Sequence, residues 1–229
     1  TANKYRTQYI LGLFSDGSWV DYLKANAHLD ARFYGDSFGT YGFLLNDHTE
    51  EDNIIHALEI ANWIKFPFLN VKIIFHDGTS TEVLGFNDVY TRTTTGQAVR
   101  HRIFVDSEVY MPQLIGYRET FYQGDSIIIC SAGGSTAYNK SAGGKIFSPE
   151  KKLIGITPVA PDPIPIPAIQ INDTREIMLE MVHDEKRRHE VYVDGDKFNQ
   201  VSRVVITKSD LSVTLGFKPG ESHQQKIER

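Results

Sequence analysis

The spacing of hydrophobic positions changes character near residue 70. In the first part, Tyr9-Ile10-Leu11-Gly12-Leu13-Phe14 is a short apolar run of strand type, followed by Ser15-Asp16-Gly17-Ser18. Trp19, Val20, Leu23 and Ala27 then recur at helical spacing, so the pattern predicts strand, tight turn and helix. A second short strand is expected over 31–34, leading into a glycine-spaced loop from Gly35 to Leu44. Glu50-Glu51-Asp52 open a further predicted helix, with carboxylates where the helix dipole favours them. Ile54, Ile55, Leu58, Ile60, Ala61 and Ile64 form its apolar face.

From Val71 the period becomes two. Val71 to His76 and Thr81 to Phe86 flank Asp77-Gly78, a hairpin signal, because these residues accept the turn conformations that join twisted strands. Further strands are expected near 100–105, 109–115, 126–131, 153–157, 176–183, 190–193, 201–206 and 211–216. The proline-rich stretch from Pro158 to Pro167 is expected to be an extended crossing segment rather than a central strand, since proline cannot donate to a ladder. The pattern predicts an α/β segment over 1–68, a β-rich domain over 69–217 and a polar, frayed tail over 218–229.

Composition narrows the class of protein more than its chemistry. The 229 residues allow one large domain or two small ones. With 24 Lys and Arg against 29 Asp and Glu, the net charge of −5 offers no broad basic footprint for nucleic acid or anionic lipid. No apolar run reaches the roughly 18 residues a membrane span needs, and the N-terminus lacks the layout of a signal peptide. Cys130, a lone cysteine inside Ile127-Ile128-Ile129-Cys130, fits a buried strand and a reducing compartment, so the expected location is cytoplasmic, with no nucleic-acid or membrane partner. The first residue is Thr1 rather than Met, which is expected of a chain that continues upstream.

Three clusters carry candidate chemistry. Asp16-Gly17 sits where a strand opens a helix, the place where α/β sheets present a carboxylate and backbone N–H groups to a ligand. The other reading is that Ser15 or Asp16 caps the helix, as most such residues do. Asn87-Asp88 follows an apolar strand; an amide beside a carboxylate can meet both donor and acceptor edges of a base or ribose, or can simply form a turn. Gly133 to Gly144 sets two glycine pairs around Ser135, Thr136, Tyr138, Asn139 and Ser141, which lets a ligand approach the backbone among several donors. It matches neither the phosphate loop, because Gly144-Lys145 is followed by Ile146, nor the nucleophile elbow. The eight histidines are scattered without metal-ligand spacing, so no metal site is expected. Lys186-Arg187-Arg188 after Asp184-Glu185 reads as a solvated hairpin tip, with a local phosphate contact as the other reading.

The stretch from Gly124 to Gly144, followed by Ile156-Thr157-Pro158-Val159, closely resembles the NAD kinase family, which carries T-P-T-G-S-T-A-Y-N-x-S-A-G-G and then an I-T-P segment. Asp16-Gly17 falls where that family has G-G-D-G-T, Gly39 to Leu44 resembles its G-x-x-G-F-L, Asn87-Asp88-Val89 its N-E-V and Asp194-Gly195 its late D-G turn. The resemblance runs from about Tyr9 to Leu215. It implies a partial, Rossmann-like nucleotide-binding lobe followed by a β-rich NAD-binding domain. It also implies transfer of the γ-phosphoryl of Mg-ATP to the 2′-hydroxyl of the adenosine ribose of NAD. By resemblance Asp16 is the catalytic base and, with Gly17, part of the NAD site. Asn87 and Asp88 hold polar edges of NAD; Thr136, Ala137, Tyr138 and Ser141 frame adenine and ribose; Phe43 packs on the adenine side. Asp125 reaches the nicotinamide end of a site completed by a neighbouring subunit, which implies a homo-oligomer, commonly a tetramer.

The chain departs from the family pattern at three places. Phe14-Ser15 stand for the two glycines that let backbone meet phosphate. Ala132-Gly133 replace Pro-Thr, which is expected to loosen that turn, and Asp88 replaces Glu, keeping the charge at shorter reach. The family's upstream β/α units have no counterpart before Tyr9. These departures leave a second reading beside the kinase: a non-catalytic dinucleotide-binding or oligomerising protein with impaired ATP binding. A lipid kinase of the related diacylglycerol or sphingosine type is disfavoured by the long motif.

Overall fold

The computed structural model describes residues 8–37, 42–47, 53–110, 121–163, 165–182, 187–221 and 226. The chain divides into two compact units. The first comprises Thr1–Pro67, Phe147–Lys151 and Asp210–Arg229, the second Phe68–Ile146 and Lys152–Ser209.

The first unit is α/β. Strand β1 (Gln8–Phe14) and strand β2 (Ala31–Ser37) lie parallel in a register that runs from Gln8 opposite Ala31 to Phe14 opposite Ser37. Helix α1 (Asp16–Ala25) connects them, as a parallel pair requires a crossover. Its Trp19, Val20 and Leu23 are buried, and the indole packs against Phe33 and Tyr22. On its other side β2 pairs in parallel with Thr214–Gly216, and its end pairs with the short strand β3 (Asn46–Asp47). Asn46 is fully buried and its amide nitrogen bridges the carbonyls of Gly35 and Gly216, both at 3.0 Å, which ties the two parallel neighbours together. Helix α2 (Ile54–Ile60) is capped by the Asn53 side chain.

The second unit is a sandwich of two largely antiparallel sheets. Strand β4 (Asn62–Phe75) enters it and turns through Asp77-Gly78 into β5 (Ser80–Gly85), with Ile74 opposite Ser80. Asp77 Oδ1 accepts from the backbone and hydroxyl of Thr79, and Gly78 adopts φ +84°, which closes the turn without a Cβ penalty. Then follow β6 (Asp88–Thr93), β7 (Val99–Val105), β8 (Glu108–Val109), β9 (Tyr122–Gly124) and β10 (Ser126–Cys130). After a 3-10 turn (Gly133–Thr136) and helix α3 (Tyr138–Ser141) come β11 (Leu153–Val159), β12 (Ile169–Asn172), β13 (Ile177–Met181), β14 (His189–Val193), β15 (Asp196–Asn199) and β16 (Val201–Phe217). One sheet has the order β12-β11-β10-β6-β14-β15; in the other β13 lies between β16 and β7. Inward residues of both sheets, among them Val71, Val89, Ile103, Ile127, Leu179 and Val204, form one hydrophobic core. Burial of each such side chain contributes roughly 1.5–3 kcal/mol.

Five expectations from the pattern are corrected. The helix after Asn53 ends at Ile60, and Ile64 lies in β4, because the aromatic and β-branched run Trp63 to Phe68 favours a strand. Its isoleucines do not form a buried face: Ile54, Ile55 and Ile60 are exposed and Ala57 is buried. The two strands expected over 201–206 and 211–216 are one strand of 17 residues, since nothing between Thr207 and Leu211 breaks extended backbone. Pro158 is a strand residue, opposite Ile127. The sheet accepts it because pairing of β11 with β12 ends at Ile156, so on that side Pro158 faces no ladder that needs its missing N–H. The strand expected over 176–183 ends at Met181, before Val182; the expected strand positions beyond 110 and at His183, Glu50 to Asp52, and most of the expected polar tail fall outside the described residues.

Candidate functional site

In the first unit the candidate carboxylate is held by backbone. Asp16 is the first residue of α1, but the cap is Ser15, whose hydroxyl and that of Ser18 form a reciprocal capping box. That leaves the Asp16 carboxylate to accept from Phe43 N–H at 2.8 Å and Leu44 N–H at 3.4 Å. A Cβ at Gly42 would stand 2.9 Å from Asp16 Oδ1, so this loop passes close against the carboxylate. Burial raises the Asp16 pKa above its ordinary value, against the lowering pull of the two N–H groups and of Lys226. Lys226 donates to the carbonyls of Gly42 and Leu45 and thereby braces the same loop. Gly39, Thr40 and Tyr41 lie outside the described residues.

Phe14 and Ser15 turn their side chains to the structure of this unit. The Phe14 ring packs 5.0 Å from that of Trp19 and 5.2 Å from that of Tyr22, while Ser15 caps α1. Gly17 has open space where a Cβ would be.

In the second unit the motif residues meet around one backbone bend. The Asp194 carboxylate accepts from Phe86 N–H and Asn87 N–H, both at 2.7 Å, and from Asp88 N–H at 3.1 Å. Ser131 donates its N–H to Asn87 carbonyl and its hydroxyl to Phe86 carbonyl. A Cβ at Gly134 would come within 2.0 Å of Asn87 carbonyl oxygen, so the glycine is required for the two segments to touch. The turn is not loosened by Ala132-Gly133: the Phe86 ring occupies the place where a residue-133 side chain would begin, and both residues are buried.

Downstream, Asn139 ties the rest of the motif together. Its amide nitrogen donates to the carbonyls of Ser135 and Lys145, and its Oδ1 accepts from Thr157 Oγ1 at 2.6 Å. The structure thus gives the Asn of the long motif and the Thr of I-T-P one shared role, which spacing alone did not reveal. Thr136 is buried, Ala137 and Tyr138 half-buried and Ser141 exposed on the same short segment. Tyr138 meets Tyr90 edge-on at 5.2 Å, Tyr90 stacks on Tyr192 at 4.8 Å, and the Arg92 guanidinium lies over both Tyr90 and Tyr138. Tyr90 and Arg92 escaped sequence reasoning because β6 itself was not expected as a strand.

Asp88 is buried, opposite Cys130 in the ladder. Burial first, and then the neighbouring Asp194 charge, push its carboxyl up to about 7. Asn87, Asp88, Gly134 and Thr136 therefore share one end of β10. Asp125 does not join them: it is exposed at the other end, five residues from Cys130, about 17 Å along the strand. Of the histidines, His101 and His189 are buried side by side with ring centroids 5.1 Å apart. Burial holds His101 well below its ordinary value. Among the described residues no three His, Cys, Asp or Glu side chains converge as a metal site requires.

The family model of the ATP-NAD kinase C-terminal domain matches residues 74–215, which include Asn87, Asp88, the long glycine motif and Asp194. The chain belongs to the NAD kinase family. It is 28% identical over 223 residues to the NAD kinase of Hyphomonas neptunium, covering 96% of this chain and 84% of that one. Among solved structures, yeast NADH kinase complexed with NADH superposes with a TM-score of 0.82 at 20% identity, over 98% of this chain. The chain spans 65% of the length of that enzyme. The NAD kinase of Archaeoglobus fulgidus in complex with ATP gives 0.75 at 20% identity, covering 96% of this chain and 83% of that one. At these identities the structures establish the fold that the NAD kinases share with this chain.

Proposed function

We propose that the chain is an active NAD kinase that transfers the γ-phosphoryl of Mg-ATP to the 2′-hydroxyl of the adenosine ribose of NAD, yielding NADP and ADP. The observation that carries this reading is the Asp16 carboxylate, oriented by two backbone N–H groups and made more basic by burial. As the ribose oxygen bonds to the γ-phosphorus and the bond to the β,γ-bridging oxygen breaks, Asp16 takes the hydroxyl proton. Phosphoryl transfer asks for positioning and charge neutralisation more than for covalent chemistry, so one oriented base and a magnesium that arrives with the nucleotide suffice. Gly17 offers an open backbone at a helix start, and Phe43 packs on the adenine side. Phe14 and Ser15 are engaged within their own unit, which supports the enzyme over the non-catalytic reading.

In the second unit Asn87 and Asp88 take polar edges of NAD, while Thr136, Ala137, Tyr138 and Ser141 frame its adenine and ribose. Asp125, about 17 Å along β10 from Asp88, serves the site of a neighbouring copy in a homotetramer. The enzyme works in the cytoplasm; among the described residues no helix is long and apolar enough to cross a membrane.

NADP formation by the purified chain tests the proposal. Asp16→Asn lowers turnover by about 10²–10⁴-fold and leaves NAD affinity within severalfold; unchanged turnover removes Asp16 from the reaction. Asp125→Ala weakens NAD binding only in the oligomer, and full NAD binding by a chain that sediments as a monomer rules out the shared site.

A further inference from the structure

A cavity of about 820 Å³ opens at the end of the β6–β14 pair far from Asn87 and Asp88. The register sets the separation: His189 pairs with Thr93 at one end of β14, while Asp194 clamps residues 86–88 beyond the other. Five residues of extended chain amount to about 17 Å. The cavity lies within the second unit, and its lining combines Arg187 and Arg188 with His76 and His189, the Asn199 and Gln200 amides and Thr94. Among the described residues no carboxylate lines it.

Its walls are fixed by backbone. Thr94 N–H donates to Arg188 carbonyl at 3.1 Å and His76 N–H to Gln200 carbonyl at 2.9 Å, so four segments are pinned in two pairs around the opening. Arg187 is anchored through Nε on Ala98 carbonyl at 3.0 Å. His189 Nε2 accepts from Arg100 N–H, which places the ring proton on Nδ1 and makes that atom a donor. Arg188 is exposed and forms no ion pair with a described residue. The set is rich in donors, cationic and of small-molecule size. Guanidinium forks match phosphate oxygens two at a time, and imidazole and amide N–H groups complete such a shell. Among the described lining residues the two imidazoles are the rings on which a base could stack, so a nucleoside is poorly served.

We propose that this cavity is a second anion site, separate from the residues assigned to NAD, that binds a compact small molecule bearing phosphate groups through Arg187, Arg188 and His189. The site accounts for the basic Arg187-Arg188 pair, which the kinase chemistry does not use. It does not depend on the roles given to Asp16 or Asn87.

Histidine ring signals in NMR spectra of the full chain, saturated with NAD and titrated with inorganic tripolyphosphate, test the site. His76 and His189 signals shift saturably, and Arg188→Ala weakens the midpoint roughly tenfold or more, as loss of a charge-assisted contact does. Arg188→Lys restores part of the affinity, and NAD affinity is unchanged in both variants. Three results overturn the proposal: no shift at millimolar tripolyphosphate, the same midpoint in Arg188→Ala and Arg187→Ala, or equal shifts from chloride at matched ionic strength.

Discussion

Two short stretches at which NAD kinases carry glycine have opposite fates in this chain, and the neighbourhood of each Cβ explains why. At Phe14-Ser15 side chains replace the glycines and find partners in their own unit, Phe14 on Trp19 and Tyr22, Ser15 on the first turn of α1. At Gly134 a Cβ would stand 2.0 Å from Asn87 carbonyl oxygen, which is backbone and cannot rotate away. A glycine that faces open space or a movable side chain can be replaced; a glycine that faces backbone cannot. The contrast separates what the motif needs for folding from what it needs for ligand.

The sharpest way to break the comparison is Gly134→Ala. The added Cβ must push apart the bend at 86–87 and the turn after β10, so chemical denaturation will show a loss of more than about 4 kcal/mol, the range reached by severe core overpacking. A loss below about 1 kcal/mol would mean that the two segments separate freely and that the clash is not what holds glycine there.

The next effect depends on pH and concerns two buried groups of the second unit with opposite signs. Asp88 titrates near 7 in the folded chain against 3.8 as its ordinary value, so the folded state holds a proton that the unfolded state has released. Its ionisation therefore costs stability as pH rises from about 4 through 7, and Asp88→Asn recovers up to about 4 kcal/mol above pH 7 and nothing near pH 3. His101 is kept neutral by burial, so the unfolded state takes up its proton first and stability falls as pH drops below about 6.5. Unfolding free energies of the parent, Asp88→Asn and His101→Gln, measured from pH 4 to 8, separate the two slopes. A parent curve whose shape neither variant alters would overturn both assignments.

The smallest effect sharpens the comparison at its tolerant end. Ser15→Ala removes the capping side chain of α1 and costs about 1 kcal/mol by thermal or chemical unfolding. Ser15→Gly costs only a few tenths, because glycine is itself accepted at the cap. Equal losses for both would show that Ser15 contributes more than the cap.

Much of the architecture is legible from the residues alone, for physical reasons that act locally. Apolar alternation through Val99 to Val105 and the run Ser126 to Cys130 announce strands wherever they sit, and Asp77-Gly78 announces its hairpin through backbone dihedrals alone. The switch from helical spacing to period two separates α/β from β-rich sequence. Boundaries were harder where two local preferences compete. The isoleucines after Asn53 have helical spacing, yet from Asn62 the aromatic run goes into a strand, and Ile54, Ile55 and Ile60 of the predicted apolar face stay exposed. Pro158 forbids a ladder bond on one side only, and which side is open is decided by where β12 stops.

The candidate chemistry divides in the same way. The presence of Asp16, Asn87, Asp88 and the glycine-rich motif is written in the chain, because short polar residues and glycines stand out against periodic segments. What each does follows from contacts between residues far apart in sequence. Asp194 lies more than a hundred positions from the bend that it clamps, Thr157 is 18 positions from Asn139, and Phe43 and Leu44 reach Asp16 across 27 and 28 positions. Sequence by itself determined the class of fold, the family and the identity of the polar residues, since composition, periodicity and motif order are local properties. Only the tertiary structure decided which of those residues hold backbone and which stand at one end of β10. Burial set the Asp88 carboxyl near neutrality, because desolvation and the approach of a second carboxylate exist only once distant segments pack.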